Sequence, residues 1–222
     1  MNYYGRPLSQ RRSFEAYHYP KLQQQSERQM KNRGREKIPG AGRSSFALVE
    51  QDRVFGELEL HRGMRFLDLG CGRGEYAIEV SEIVGTRGMV YGIDLWEEGI
   101  HQLRKEALAR GSKNIEALVA DAEKKIPLAD RSIDICFMAT VFHDLVLANT
   151  FKGALQEISR VLKKEGILAI LEFIKIDGPP GPPLSSRLTP EEVEERIIPY
   201  GFDRVGLKEV GPYNYLMRFV KR

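Results

Sequence analysis

At 222 residues with 42% apolar content and a formal charge of +3, the chain has room for one domain with a full core plus an appendage. Its uninterrupted apolar runs, such as 167–171, are far too short to cross a bilayer, and the N-terminus lacks the apolar core of a signal peptide. Two cysteines, Cys71 and Cys136, make neither a disulfide framework nor a Cys-x-x-Cys metal pair, so the expected setting is the reducing cytoplasm.

Charge is unevenly placed. Residues 1–45 hold ten Lys/Arg against three Glu, and the remainder holds 24 against 28, so a basic head precedes a mildly acidic body at 46–222. With Tyr3, Tyr4, Tyr17, Tyr19 and the run Gln23, Gln24 and Gln25, this head reads as a solvated arm, as a lid ending in Arg43, Ser44, Ser45 and Phe46, or as a contact for nucleic acid or an anionic partner.

Residues 54–60 read as the end of a helix that His61, Arg62 and Gly63 lead into a first strand. That strand runs into Phe66-Leu67-Asp68-Leu69-Gly70-Cys71-Gly72-Arg73-Gly74, a glycine-rich turn opening a helix over 75–84. Glycines let such a backbone turn tightly and approach a ligand, and the amides of the next helix start point toward it. A dinucleotide motif would need its third glycine one residue later, where Glu75 stands, so NAD fits poorly. Asp68 would repel a diphosphate and favour an ammonium or sulfonium.

A second strand, 89–94, ends in Asp94, whose carboxylate is suited to accept both hydroxyls of a ribose. A helix over 97–110 is stopped by Gly111, and a third strand, 115–120, is closed by Asp121. The next elements are a strand over 133–140, a helix over 150–162 ended by Lys163, Lys164, Glu165 and Gly166, and a strand over 167–174. Near-continuous apolar strands alternating with helices mean a buried parallel sheet. After a Pro/Gly-rich loop at 177–184, read as a spacer or a second lid, Thr189, Pro190, Glu191 and Glu192 have the chemistry of a helix start. That helix runs to about 200, and Gly211, Pro212, Tyr213 and Asn214 then join two antiparallel strands over 202–210 and 215–221.

The glycine turn and the acidic ends Asp94 and Asp121, with the stretch 126–134, resemble a class I S-adenosylmethionine-dependent methyltransferase over 54–222. Within that superfamily the chain is similar to the small-molecule branch that includes quinone-biosynthesis C-methyltransferases. The resemblance implies a doubly wound α/β fold with a mostly parallel seven-stranded sheet in the order 3-2-1-4-5-7-6, the last strand antiparallel and helices on both faces. It also implies S-adenosyl-L-methionine as cofactor, held by Asp68, Gly70, Cys71, Gly72, Gly74, Asp94, Leu95, Asp121, Ala122 and Met138, with adenine at Asp121 and Ala122. The alternatives are that Asp94 caps the next helix and that Asp121 simply forms a turn.

Residues 137–144 occupy the exit of the fourth strand, where amino-methylating enzymes of nucleic acid carry Asp/Asn-Pro-Pro-Tyr/Phe, and that motif is absent. Met138 and Ala139 are expected at the methionine end. His143 is the candidate general base, or else it orients the next helix with Asp144. His18, His61 and His101 have no partners at ligand spacing, so no metal is expected. The reading is a methyltransferase with a small-molecule acceptor. Its rivals are an RNA or protein methyltransferase using the basic head and a non-catalytic cofactor-binding protein.

Overall fold

A computed structural model describes residues 42–222. The basic head expected over 1–45 lies outside the described residues as far as residue 41. A single 3-10 turn, Phe46–Leu48, precedes helix α1 (Gln51–Glu57), and the remaining chain alternates strands with helices. In order these are β1 (Arg65–Leu69), α2 (Glu75–Val84), β2 (Met89–Asp94), α3 (Glu97–Ala109), β3 (Ile115–Val119), β4 (Ile133–Ala139), α4 (Phe142–Leu147), α5 (Phe151–Val161), β5 (Leu162–Phe173), α6 (Pro190–Ile197), β6 (Phe202–Glu209) and β7 (Asn214–Lys221).

The strands form one sheet in the order β3-β2-β1-β4-β5-β7-β6. β1 to β5 are parallel, and β7 runs antiparallel to both β5 and β6. The period of two along each strand divides the core between the faces. Leu67 and Leu69 of β1 pack with Met138, Leu155 of α5 and Val193 of α6 on one side. Phe66 packs with Phe137, Ile78 of α2 and Leu103 of α3 on the other. Helices on both faces explain why the central strands are mostly apolar. Among the described residues no helix is long and apolar enough to cross a membrane.

Local chemistry sets the element ends. Thr189 Oγ1 accepts the Glu192 N–H at 3.2 Å, Glu192 Oε2 accepts the Thr189 N–H at 2.7 Å, and Pro190 fills the first helical position. This reciprocal cap is the start expected from the sequence. The fifth strand differs: it begins at Leu162, directly out of α5, five residues before the expected start at 167. Leu162 is fully buried and pairs with Ile133, Glu165 takes φ 62°, and a register shift then brings Ile167 opposite Ile135. Lys163 to Gly166 are thus an irregularity within the strand, anchored by the Lys163 Nζ to Asp134 Oδ1 contact of 2.5 Å. The residues after β4 also form the short helix α4, which takes His143 into its first turn.

β1 lies between β2 and β4, the point where the strand order reverses. In a parallel sheet that reversal opens a crevice at the carboxyl ends of the strands. The glycine turn fits the crevice only without side chains at two places. A Cβ on Gly70 would stand 2.4 Å from a Val141 methyl, and one on Gly74 would stand 2.4 Å from Leu103 Cδ1, with φ of +76° and +80°. Gly63 is also left-handed, at φ +91°, yet has open space around it. Gly74→Ala is therefore expected to cost about 2–4 kcal/mol in urea unfolding, from backbone strain plus overpacking, and Gly63→Ala about 1–2 kcal/mol from strain alone. Equal losses at the two positions would contradict the packing account.

Candidate active site

A cleft of about 320 Å³ opens over the carboxyl ends of β1, β2, β3 and β4. On its β2 side, Asp94 is clamped by backbone amides. Its Oδ2 accepts the Gly72 N–H at 2.8 Å, and its Oδ1 accepts the Trp96 N–H at 2.7 Å. These bonds tie the glycine turn to the end of β2 and point the carboxylate at the cleft wall that Asp94, Gly70 and Gly72 share. Burial raises the Asp94 pKa, opposed by the N–H groups of Trp96, Gly72 and Leu95. Leu95 and Trp96 continue the wall, and Trp96 lies 5.7 Å under the Arg73 guanidinium.

At the end of β3, Asp121 and Ala122 also face the cleft. Asp121 Oδ1 accepts the Glu123 N–H at 3.2 Å and its Oδ2 meets Lys124 Nζ at 2.9 Å, so the residue closes a turn while standing on the wall. Asp68 does not line the cleft: it is buried behind the wall, 1% exposed, and its Oδ2 has no hydrogen-bond partner among the described residues. Burial, then the charges of Asp94 and Glu75, push its pKa up to about 8, against the Ala77 backbone N–H.

The β4 side is chemically different. Thr140 takes the left-handed φ of 57°, costly for a β-branched residue, and turns the chain sharply out of β4. The turn brings His143 to the cleft. Its backbone N–H donates to Glu172 Oε1 at 3.0 Å, and its ring Nδ1 meets Glu172 Oε2 at 2.8 Å. Phe173 and Pro182 close this end. Pro182 belongs to a loop whose carbonyls are gathered by one buried side chain. The Arg187 guanidinium donates to the carbonyls of Ile174, Ile176, Gly178, Pro180 and Pro182, at 2.5–3.2 Å, and lies 5.6 Å over the Phe173 ring. The loop at 177–184 is thus bound to the body at its own peptide groups.

A family model described as a methyltransferase domain matches residues 60–195. The chain belongs to this methyltransferase family. Aklanonic acid methyltransferase DauC of Streptomyces sp. (strain C5) is 34% identical over 137 residues, 61% of this chain and 60% of that protein. Demethylmenaquinone methyltransferase of Staphylococcus aureus (strain MRSA252) is 34% identical over 124 residues, 56% of this chain and 49% of that one. The chain thus spans only about half to three-fifths of the length of these curated relatives. The crystal structure of a SAM-dependent methyltransferase from Aquifex aeolicus superposes with a TM-score of 0.73 at 33% identity, covering 83% of this chain and 94% of that one. The [4+2]-cyclase SpnF superposes at 0.64 with 19% identity, over 82% of this chain and 85% of that one, a likeness of fold alone.

Of the residues singled out in the sequence, Gly70, Gly72, Asp94, Leu95, Asp121, Ala122 and His143 meet on the cleft. Gly74 supports it from behind against Leu103. Met138 does not reach it: strand alternation turns its side chain into the fully buried core, and Ala139 takes the wall position. Cys71 likewise stays inside, 7% exposed, with its N–H donated to the Ile93 carbonyl at 3.2 Å. Burial raises the pKa of the Cys71 and Cys136 thiols, which keeps both protonated and unreactive. Of the expected lid at 43–46, Arg43 is on the wall, while Ser45 Oγ and Phe46 pack on Tyr76, the hydroxyls 3.1 Å apart. Tyr215 is buried and donates to the Leu188 carbonyl at 2.8 Å.

Glu172 and Arg187 were missed, although Glu172 is the one charge in the apolar run 167–174. Arg187→Lys keeps the charge but offers three donors in place of five in a fixed fork. It is expected to lower stability by about 2–3 kcal/mol and to speed protease cleavage within 176–183 by about tenfold or more. Cleavage at the wild-type rate would show that the guanidinium does not hold the loop.

Proposed function

We propose that this chain binds S-adenosylmethionine over β1, β2 and β3 and transfers its methyl group to a small-molecule acceptor held at the β4 and β5 side of the cleft. The observation that carries this reading is Asp94: a carboxylate at a strand end, fixed through both oxygens by the glycine turn and the following loop, with the remaining lone pairs free to accept ribose hydroxyls. Asp121 and the Ala122 amide stand where an adenine edge would lie. Asp68, buried behind the wall with its Oδ2 unpartnered among the described residues, adds when ionised to the negative field of Asp94, which favours the ammonium and sulfonium of the same ligand.

When bound, S-adenosylmethionine supplies a methyl group already activated by the sulfonium. The chain's residues position the two reactants in a cleft that Phe173, Pro182 and Leu145 line at its β4 and β5 side. A small acceptor is supported by the size of the cleft, about 320 Å³, and by the named substrates of the relatives. A polymer substrate would depend on residues 1–45, of which 1–41 lie outside the described residues.

Titration calorimetry tests the reading. S-adenosylmethionine and S-adenosylhomocysteine should bind at one site and NAD should not. Asp94→Ala should weaken both by about tenfold or more, the loss of two charge-assisted hydrogen bonds. No binding of either ligand at millimolar levels would end the proposal.

Asp68 adds a pH signature. With its pKa raised from 3.8 to about 8, the ionised form that favours a cation is populated above that pH, so S-adenosylmethionine affinity should rise as pH passes through about 8. The ligand-free native state holds a proton that the unfolded chain has lost between those values, so its stability falls as pH rises across that window. Asp68→Asn should therefore stabilise the ligand-free protein at pH 7 by roughly 1–3 kcal/mol while weakening ligand binding and flattening its pH dependence. Thermal melts and calorimetry would read both, and a destabilised variant with unchanged binding would contradict this role.

A further inference from the structure

Glu172 sits on β5, 1% exposed, with both oxygens directed at one residue. Oε1 takes the His143 backbone N–H at 3.0 Å and Oε2 takes the ring Nδ1 at 2.8 Å. In the neutral ring, a carboxylate at that distance keeps the proton on Nδ1 and leaves the lone pair on Nε2. Holding α4 in place would need only the backbone bond; the ring bond sets a tautomer. His143 stands on the wall of the cleft past β4, and its Nε2 lies 3.5 Å from Asp144 Oδ1.

We infer that His143 and Glu172 form a proton-accepting pair, and that the methyl acceptor is a weak acid, a phenolic or enolic hydroxyl or an enolisable carbon, whose proton passes to His143 Nε2. The inference rests on the methyl-transfer reading and narrows its substrate class. The acceptor's O–H or C–H bond breaks and its electron pair forms the new bond to the methyl carbon. The old methyl–sulfur pair stays on sulfur, leaving a neutral thioether, and the proton remains on Nε2 until water removes it. His143 is the catalytic residue of the pair and Glu172 its positioning residue.

The charges around the ring set the pH above which Nε2 carries its lone pair. Burial disfavours the imidazolium, but the bond and charge of Glu172 on β5, then Asp144 on α4, outweigh it despite Arg187, so the His143 pKa is raised. Tyr215 of β7 faces Glu172 from the far side, and its hydroxyl stays protonated. The base form of His143 is therefore populated only above a raised midpoint. Removing the Glu172 charge should move that midpoint to lower pH.

The test uses the full chain loaded with S-adenosylhomocysteine and 4-nitrophenol as a chromogenic weak acid. The bound phenol should ionise about one pH unit or more below the free compound. His143→Gln should abolish that shift while S-adenosylhomocysteine affinity changes by less than about twofold. 4-Nitroanisole, which has no proton to give, should bind at least about tenfold more weakly. Carbon-13 NMR of the imidazoles, with His143 assigned by the same variant, should show a midpoint above 6.5 in wild type and about one unit lower in Glu172→Gln. An unbound phenol, equal ionisation in His143→Gln, or a wild-type midpoint below 6.5 would overturn the inference. The wild-type titration decides even if a variant fails to fold. Calorimetry with S-adenosylhomocysteine alone shows separately whether the cofactor reading has failed.

Discussion

The double clamp on Asp94 is the interaction on which the rest of the site depends. Two backbone amides from different segments, Gly72 and Trp96, hold one carboxylate at the end of β2 and so lock the turn after β1 to the turn after β2. Strand order makes this contact available, because β1 and β2 are parallel neighbours whose ends arrive side by side. The clamp acts with the Gly70 and Cys71 N–H groups, which donate to the Ile93 carbonyl at 2.7 and 3.2 Å, and is the side-chain part of the bond between the two turns.

The geometry concentrates negative charge under that turn. Among the described residues, Asp68 is buried without a partner for one oxygen and is driven toward its neutral form, a destabilising arrangement in the protein alone. Such a cost is usually accepted where a ligand relieves it, and a positively charged nucleoside would do so. On the other side of the cleft the buried charges are paired, Glu172 with His143, and Arg187 with a full set of carbonyls. One half is electrostatically incomplete by itself and the other is not.

Much of the fold was legible because its signals are local. Apolar strand runs, glycine stops and the Thr189–Glu192 cap each act within a few residues, and the observed elements follow them closely. The start of β5 was misread because Lys163 to Gly166 look like a turn, and only pairing of Leu162 with Ile133 makes them part of a strand. The acidic strand ends were readable for the same local reason. Met138 was misplaced within a correctly read strand, since which of two neighbours faces a cleft depends on the pleat. The His143–Glu172 bond and the Arg187 fork join residues far apart in sequence or bind carbonyls, which carry no residue identity, and neither has a sequence pattern.

A crystal structure of the protein grown with about 1 mM S-adenosylhomocysteine tests the central claim most directly, because that concentration saturates a micromolar site. The account predicts the nucleoside in the cleft, with both ribose hydroxyls within hydrogen-bond distance of the Asp94 carboxylate and adenine beside Asp121 and Ala122. A cleft free of ligand under those conditions, or a ribose bound away from Asp94, would contradict it.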